Sequence, residues 1–450
     1  MDLHWTFAIC RACRRQLTTR LTSRRAASRN IRREQPTARM AGNESNADDD
    51  SNGRGLKVAV IGCPNVGKSA LTNALIRANV CAVSRQVDTT RYNTTTALTE
   101  EDCQLVVVDS PGLIGTKHAK DMIGAHSDAR ILVDPEEAIR YAGHVLVVQD
   151  VSLPGQYIQH RVLHLLHRYA HIPSSLVLNK VDLMPRRADL LHLAAVLTEG
   201  VVNGEPIQRK LTHGFGRIDR IIGVDKKSDA NPSKAEERFG IHHTSSIANR
   251  DEKWHALYNT LLQKPAHKCS WSDTRRLYMG QNGWPAFVGV FFVSCTTGEG
   301  IDALRDHLKR VAQPSDWRYD AQTVSRKNPQ KICLEHVRSK FLDLLPAHVA
   351  YALNIYMCEW EMNEFGERGT KTLRTIIDVN CMKEREARLA QRVAARVEFD
   401  VIEMLRALFH IHIQLRLHVK HNGRLYLKQQ PKANEDANGM PKSQTSPMAA

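Results

Sequence analysis

Short and almost unbroken aliphatic runs recur through the first two thirds of the chain. They occupy residues 56–62, 105–108, 144–149, 176–178 and 288–293. Strands that are apolar on both sides are typical of a parallel sheet covered by helices on both faces. The segments 69–79 and 301–312 predict two of those helices. The pattern therefore predicts an α/β domain built on a mostly parallel sheet.

A different pattern begins near residue 331. It predicts, in order, a helix (333–345), two strands (351–361 and 372–379), a long helical region (383–409) and a final strand (411–420). Apolar and polar residues alternate in the final strand, which is typical of a sheet covered on one face only. The sequence therefore predicts a second domain, of the α+β class.

Composition suggests where these domains begin and end. We expect a targeting segment at 1–40, a linker at 41–54, the first domain at 55–312 with an insertion at about 200–283, a linker at 313–330, the second domain at 331–425 and a disordered tail at 426–450. The insertion has a polar, irregular sequence, so we expect it to loop out of the first domain and to be partly disordered.

The net charge of +15 is spread unevenly over the 450 residues. Residues 1–40 contain ten arginines, no lysine and only two acidic residues. This composition is typical of a mitochondrial transit peptide, and the alternative is a disordered basic arm that binds RNA. Apart from Cys10 and Cys13, the ten cysteines lack the paired spacing of a zinc site or a disulfide framework. The sequence contains no run of about eighteen apolar residues, so it predicts no membrane-spanning helix.

Residues 62–69 read Gly-Cys-Pro-Asn-Val-Gly-Lys-Ser and lie between the first predicted strand and helix, which is the context of a phosphate-binding loop. Backbone amides and the helix N-terminus form a cradle for the β- and γ-phosphates. Lys68 adds a positive charge, and the Ser69 hydroxyl is expected to bind Mg²⁺. The predicted nucleotide-binding residues of this segment are Gly62, Cys63, Pro64, Asn65, Val66, Gly67, Lys68, Ser69 and Ala70.

The base is predicted by the tetrapeptide Asn179-Lys180-Val181-Asp182. The Asp182 carboxylate can accept from guanine's ring N–H and exocyclic amine, whereas adenine presents no such pair of donors. Asn179 and Lys180 complete the motif. Ser294 and Cys295 directly follow a predicted strand, where their backbone is placed to meet guanine O6. Together with the phosphate loop, these residues predict a guanine nucleotide site.

Two further segments predict a response to the γ-phosphate. In Asp109-Ser110-Pro111-Gly112, we expect Asp109 to hold Mg²⁺ through a water and Gly112 to bring its amide close to the γ-phosphate. Thr90, in the polar segment Asp88-Thr89-Thr90-Arg91, is the favoured residue to complete the magnesium shell. Loss of the γ-phosphate removes the Gly112 contact, which is the physical basis of a GTP/GDP switch.

The predicted catalytic residues are Lys68, Thr90 and Gly112. Leu113 occupies the position where many small GTPases carry the glutamine that orients the attacking water. Because leucine cannot hydrogen-bond water, we expect slow hydrolysis until a partner, a cation or another residue completes the site.

Four histidines, His160, His164, His167 and His171, recur at helical spacing. They would form one stripe that could bind a metal ion. No acidic or cysteine partner lies nearby in sequence, so a helix that faces solvent is the favoured interpretation.

With these motifs in place, the chain resembles the Era family of GTPases, most closely its mitochondrial form, over roughly 55–198 and 284–425. The likeness rests on Asn65 in the phosphate loop, on Thr89-Thr90-Arg91, on the segment from Asp109 to Leu113 and on a C-terminal KH-like domain of type II. It implies a switch that hydrolyses GTP, binds small-subunit ribosomal RNA and assists assembly of the mitochondrial small ribosomal subunit. It also implies Mg²⁺, with Asn65 as a candidate ligand for K⁺, and a monomer in the matrix with a peripheral inner-membrane association.

The KH-like domain departs from the family pattern. A KH domain grips RNA with a Gly-x-x-Gly loop between two helices. Gly366-Glu367-Arg368-Gly369 instead falls between two predicted strands, which favours a hairpin turn, and residues 383–409 contain no glycine. We therefore expect the backbone clamp to be missing or remodelled. Within this helical segment, candidates for phosphate contacts are Arg385, Arg388, Arg392 and Arg396, and the alternative is a solvated helix face.

Two other functions remain open on the sequence. One is a non-enzymatic RNA chaperone or scaffold in which the nucleotide is structural, a reading that Leu113 permits. The other is a GTPase whose KH-like domain binds a protein partner instead of RNA.

Overall fold

The structure is a computed structural model that describes residues 53–86, 90, 92–113, 130–153, 155–207, 251–365 and 370–426. The predicted transit peptide, the centre of the insertion, the Gly366–Gly369 turn and the tail lie outside these residues. The chain divides into two compact units. One comprises Met1–Ser339 and Met404–His410, and the other comprises Lys340–Glu403 and Ile411–Ala450.

The first unit is built on a seven-stranded sheet with the order β2-β3-β1-β4-β5-β8 and with β9 paired to β1. Its strands are β1 (Arg54–Gly62), β2 (Thr94–Glu100), β3 (Cys103–Asp109), β4 (His144–Asp150), β5 (Ser174–Asn179), β8 (Phe287–Val293) and β9 (Gln313–Pro314), and the short pair β6 (Val201–Val202) and β7 (Glu205–Pro206) stands apart. All pairings in the seven-stranded sheet are parallel except those of β2 and β9. The predicted α/β class is confirmed, whereas the threonine-rich edge strand β2 was missed.

Among the described residues that precede residue 312, this unit contains seven α-helices. They are α1 (Lys68–Ile76), α2 (Arg130–Arg140), α3 (His160–Arg168), α4 (Arg187–Leu197), α5 (Glu252–Gln263), α6 (Trp271–Tyr278) and α7 (Ile301–Val311). Alternate residues of β1 enter two different apolar cores, Ala59 and Ile61 one of them and Val58 and Val60 the other. Both faces of the sheet are therefore buried, which explains the unbroken aliphatic runs.

The described part of the insertion differs from the irregular segment that its sequence predicts. Residues 251–283 form α5 and α6, and α6 packs against α3. Leu277 and Tyr278 are fully buried in the same core as the sheet, and the Trp254 indole donates to the Leu277 carbonyl at 2.8 Å. The apolar residues that anchor this layer are few and widely spaced, so composition alone made the segment look like a loop.

The predicted histidine stripe on α3 is partly buried. His164 and His167 on α3 are 2% and 8% exposed, so the solvent-facing interpretation is wrong for them. The His164 ring lies 3.2 Å from the Tyr278 hydroxyl, and His167 stacks on the Tyr278 ring at 5.0 Å. Burial lowers the pKa of both imidazoles to about 4, so they are neutral members of the core at neutral pH.

The second unit contains a four-stranded sheet with the order β10-β11-β12-β13. Its strands are β10 (Asn354–Phe365), β11 (Thr370–Cys381), β12 (His412–His421) and β13 (Arg424–Leu425). The helices between residues 329 and 409 are α8 (Pro329–Leu344), α9 (Ala347–Ala350) and α10 (Glu384–Phe409). Strands β11 and β12 are parallel, whereas β10 and β13 are antiparallel to their neighbours. This α+β arrangement agrees with the predicted KH-like fold.

Side-chain alternation in β12 is as predicted. Ile413 and Leu417 are buried, whereas Gln414 and Arg416 are exposed. The last paired residues of β10 and β11 are Phe365 and Thr370. The turn predicted at Gly366–Gly369 lies outside the described residues. In the place expected for two helices and a glycine loop, α10 runs for 26 residues without a break.

Candidate nucleotide site

The phosphate loop leaves the end of β1 and leads directly into α1. Gly67 has φ 95°, and a Cβ added there would lie 2.3 Å from the Asn179 side-chain nitrogen. Only glycine therefore fits this position. The helix begins at Lys68, so its first unpaired amides point into the loop, where an anion is favoured.

Lys68 is buried, and its ammonium donates to the Cys63 carbonyl at 2.8 Å. The Lys68 ammonium group therefore lies against the phosphate loop, where it is predicted to bind phosphate. A cation held among backbone amides gives this end of α1 the electrostatics of a phosphate site.

Oxygen atoms of three predicted magnesium ligands converge beside Lys68. The Ser69 hydroxyl donates to the Asp109 carboxylate at 2.6 Å, and the Thr90 hydroxyl lies 2.8 Å from that of Ser69. Asp109 is fully buried, which raises the pKa of its carboxyl group, while the Ser69 hydrogen bond and the Lys68 charge lower it. Its second oxygen has no partner among the described residues. Such a donor set fits a hard divalent cation. Asp88, Thr89 and Arg91 lie outside the described residues.

The segment after β3 lies against the phosphate loop. A Cβ on Gly112 would come within 2.8 Å of the Pro64 Cα, so this approach requires glycine. The Ser110 hydroxyl donates to the Val60 carbonyl at 2.7 Å, and the Leu113 amide donates to the Gly62 carbonyl at 3.1 Å. These bonds fix Pro111 and Gly112 beside the loop.

The Leu113 side chain is 8% exposed and belongs to the apolar core on the α3 side of the sheet. It also lines a small cavity with Arg161 and His164 of α3 and with Ala266 and Thr274 of the 251–283 layer. The residue at the position of the missing glutamine is therefore packed into the core and cannot orient a water molecule.

Asn179 connects three segments. Its side-chain nitrogen donates to the Val66 carbonyl at 2.9 Å, and its side-chain oxygen accepts from the Cys295 amide at 3.4 Å. The residue is 2% exposed. Both polar ends of the side chain thus contact the protein, so Asn179 braces the phosphate loop, and the bond to Val66 uses one of the two N–H donors of its amide nitrogen.

Lys180 forms a second brace that sequence reasoning missed. Its ammonium donates to the Asn65 carbonyl at 3.0 Å and to the Asp150 carboxylate at 2.6 Å. Asp150 ends β4 and is 3% exposed. An acidic residue at the carboxyl end of a buried strand was the available signal, since ligand sites of α/β sheets lie at that edge.

The groups expected around the base lie at one edge of the site. Asp182 is exposed in a 3₁₀ turn, Val181–Leu183, directly after the two braces. Ser294 is buried, and its hydroxyl accepts from the Thr297 amide at 3.2 Å, which orders the loop that carries Cys295. Burial raises the pKa of the Cys295 thiol to about 12, so it remains protonated.

The fold and this site define a GTPase of the phosphate-loop class. The sequence profile of the 50S ribosome-binding GTPase family matches residues 57–180. Mitochondrial GTPase Era of Caenorhabditis elegans is 41% identical over 82% of this chain and 90% of its own length. The Salmo salar protein of the same name is 32% identical over 83% of this chain and 78% of its own length. The chain belongs to the mitochondrial Era family of GTPases, enzymes that bind and hydrolyse GTP.

Solved structures show the same fold. Era in complex with MgGDPNP and nucleotides 1506–1542 of 16S ribosomal RNA is 17% identical, with a TM-score of 0.53 over 82% of this chain and 94% of that one. Era of Aquifex aeolicus bound to GDP·AlF₄⁻ gives 16% identity, the same TM-score and the same coverage. No helix among the described residues is long and apolar enough to cross a membrane.

Proposed function

We propose that this GTPase is a switch that binds small-subunit ribosomal RNA and assists assembly of the mitochondrial small ribosomal subunit. The observation that carries the switch is the convergence of the Ser69, Thr90 and Asp109 oxygens at the phosphate loop. Two separate segments meet the loop there, so a γ-phosphate contact would hold both. Binding to RNA is supported by family membership and by the Era complex with 16S ribosomal RNA.

The nucleotide would lie along the carboxyl edge of the sheet. The amides of residues 62–70 and Lys68 would hold the β- and γ-phosphates, and Asp182 would accept from guanine. The backbone at Ser294 and Cys295 would face guanine O6. Support comes from the braces at Asn179 and Lys180, which join the phosphate segment to the base segment.

Ser69 and Thr90 would bind Mg²⁺ through their hydroxyl oxygens, and Asp109 through a water. The unpartnered Asp109 oxygen supports this assignment. Bound Mg²⁺ would neutralise charge that develops on the β- and γ-phosphate oxygens. Asn65, exposed at the turn of the loop with φ 59°, is the proposed ligand for K⁺.

For hydrolysis, Lys68 would exchange its bond to the Cys63 carbonyl for phosphate oxygens, and the Gly112 amide would contact the γ-phosphate. Thr90 would close the site from the opposite side. Since the Leu113 side chain is in the core, the attacking water must be oriented by a group from elsewhere. We therefore propose slow turnover that a ribosomal partner or K⁺ accelerates.

We place the protein in the matrix as a monomer, with a peripheral contact to the inner membrane. The packed Leu113 also favours one alternative, a scaffold in which the nucleotide is structural. A second alternative, a protein partner for the KH-like unit, follows from the unbroken helix α10.

Co-sedimentation of the mature protein with mitochondrial small ribosomal subunits tests partner and switch together. We expect retention with a non-hydrolysable GTP analogue and release with GDP. Single-turnover hydrolysis should accelerate when subunits and K⁺ are added. Equal retention in both nucleotide states, without any acceleration, would instead support the scaffold.

A further inference from the structure

Four arginines form a row on the outer side of α10. Arg385, Arg388, Arg392 and Arg396 are all exposed. At 100° per residue they lie within an arc of about 80°, and they extend over about 16 Å of the helix. Ala387, Ala390 and Ala394 occupy the opposite side and are buried. The row therefore projects away from the core of the second unit.

The charges at the two ends of α10 are those that favour a helix. Glu384 and Glu386 lie in its first turn and Arg406 in its last. Arg385 lies beside the two glutamates, whereas Arg388, Arg392 and Arg396 lie beyond the first turn, where the helix dipole has little effect. Interaction with the helix dipole thus does not account for the row.

These guanidinium groups are held weakly or not at all. Arg388 interacts with Tyr426 and pairs with Glu384 at 3.2 Å, Arg396 pairs with Asp400 at 3.1 Å, and both arginines are largely exposed. Exposed pairs of this kind contribute little and are readily exchanged. Arg385 and Arg392 have no ion-pair partner among the described residues. The row can therefore accept an anionic ligand with little disruption.

An aromatic ring continues the row. Phe399 follows Arg396 by three residues, falls within the same arc and is 62% exposed. Guanidinium groups pair with phosphate in a bidentate manner, and an exposed ring can stack on an unpaired base. A row of cations that ends in an exposed ring matches single-stranded RNA better than an acidic peptide, which offers no bases to stack.

We propose that the Arg385–Arg396 row and Phe399 bind the backbone and one base of single-stranded RNA, in place of a glycine-loop clamp. The proposal rests on the RNA-binding function proposed above and assigns it a surface. Charged side chains would contact the RNA backbone in place of the backbone amides of a glycine loop, because an unbroken helix has no free amides in its middle. Recognition should consequently depend strongly on salt and little on sequence.

The test is binding of the full-length protein, loaded with a GTP analogue, to a labelled 24-nucleotide single strand of small-subunit ribosomal RNA. Arg385→Gln/Arg392→Gln removes two charges from the row. Arg374→Gln/Arg416→Gln is the matched control, since these exposed residues lie on β11 and β12, outside α10, and remove the same charge from the same unit. Thermal unfolding and GTP affinity should match wild type in both.

We expect the row variant to lose about tenfold in affinity near 0.15 M salt. Its plot of log affinity against log salt should become shallower by about 1.4, or about 0.7 for each lost phosphate contact. Arg385→Lys/Arg392→Lys should retain most of the slope. Phe399→Ala should lose about tenfold in affinity without a change of slope. The control pair should stay close to wild type.

Each other outcome has a defined meaning. Equal losses in the row and control pairs, or wild-type affinity in the row pair, overturn the row and leave RNA binding intact. Displacement of the RNA by polyglutamate at equal charge concentration also overturns it, since an acidic protein would then serve as well. If wild type binds no RNA, both the row and the proposed RNA function fail.

Discussion

Asn179→Ala removes the side chain that holds the phosphate loop to the base segment. In the folded protein this buried amide donates to the Val66 carbonyl at 2.9 Å and accepts from the Cys295 amide at 3.4 Å. The variant leaves the buried Val66 carbonyl and the partly buried Cys295 amide without these partners, at about 1–3 kcal/mol each. Because the Cys295 contact is long, we expect a total of about 2–4 kcal/mol. Because nucleotide binding requires the loop in this geometry, a variant whose free loop relaxes must restore it on binding. Nucleotide should then bind about 30-fold to 700-fold more weakly, at about 1.4 kcal/mol for each factor of ten.

The assay is titration with fluorescent GDP and GTP analogues, together with thermal unfolding in the absence of nucleotide. Gln104→Ala is the matched control. Its side-chain amide is also buried, donating to the Tyr319 carbonyl at 2.7 Å and accepting from the Arg318 amide at 2.9 Å. It lies near the start of β3, whereas Asp109 ends that strand at the nucleotide site.

The control should lower the unfolding temperature while its nucleotide affinity stays near that of wild type. Asn179→Asp should bind nucleotide more weakly than Asn179→Ala, because a carboxylate would face the Val66 carbonyl. The reasoning is refuted if Asn179→Ala binds GTP within about threefold of wild type, which corresponds to less than about 1 kcal/mol.

Three further predictions concern the base, the loop and the buried histidines. Asp182→Asn should weaken GTP binding by about 100-fold or more and favour xanthosine triphosphate, whose C2 carbonyl accepts from the asparagine amide where guanine's amine donates to the carboxylate; unchanged GTP affinity would contradict the assignment. Gly67→Ala should abolish nucleotide binding at the concentrations of the same titration, since its Cβ would lie 2.3 Å from a buried side-chain nitrogen, and tight binding would show that the loop has another conformation. For His164 and His167 the folded pKa of about 4 lies below the ordinary value of 6.5, so the unfolded chain takes up protons first and stability should fall as pH drops from about 6.5 towards 4. Urea unfolding at pH 7 and pH 5 measures this loss, which His167→Gln should reduce and the exposed His171→Gln should leave unchanged.

The sequence was most informative where function requires neighbouring residues. The phosphate loop, Asp109 to Gly112, and Asn179 to Asp182 each act through a few consecutive positions at a strand end, so they could be located and assigned without coordinates. The second unit could be predicted for a similar reason, because the alternation of apolar and polar residues in β12 indicates a sheet covered on one side.

The roles of residues that act through distant partners could not be predicted in this way. Asn179 fits a guanine motif, but its bonds to Val66 and Cys295 span more than a hundred residues of chain. The role of Asp150 as the partner of Lys180 depends likewise on the adjacency of β4 and β5. None of these hydrogen bonds can be predicted from local composition.

By itself, the order of residues determined that this chain binds a guanine nucleotide on a parallel sheet, since phosphate and base recognition need particular side chains at short, fixed spacing. Tertiary structure alone decided that His164 and His167 are buried and that residues 251–283 are a helical layer. Helical spacing is the same for a face in water and a face under another helix. Whether a helix face is exposed or buried depends on what packs against it. Here the partner of the histidines is Tyr278, which lies more than a hundred residues further along the chain.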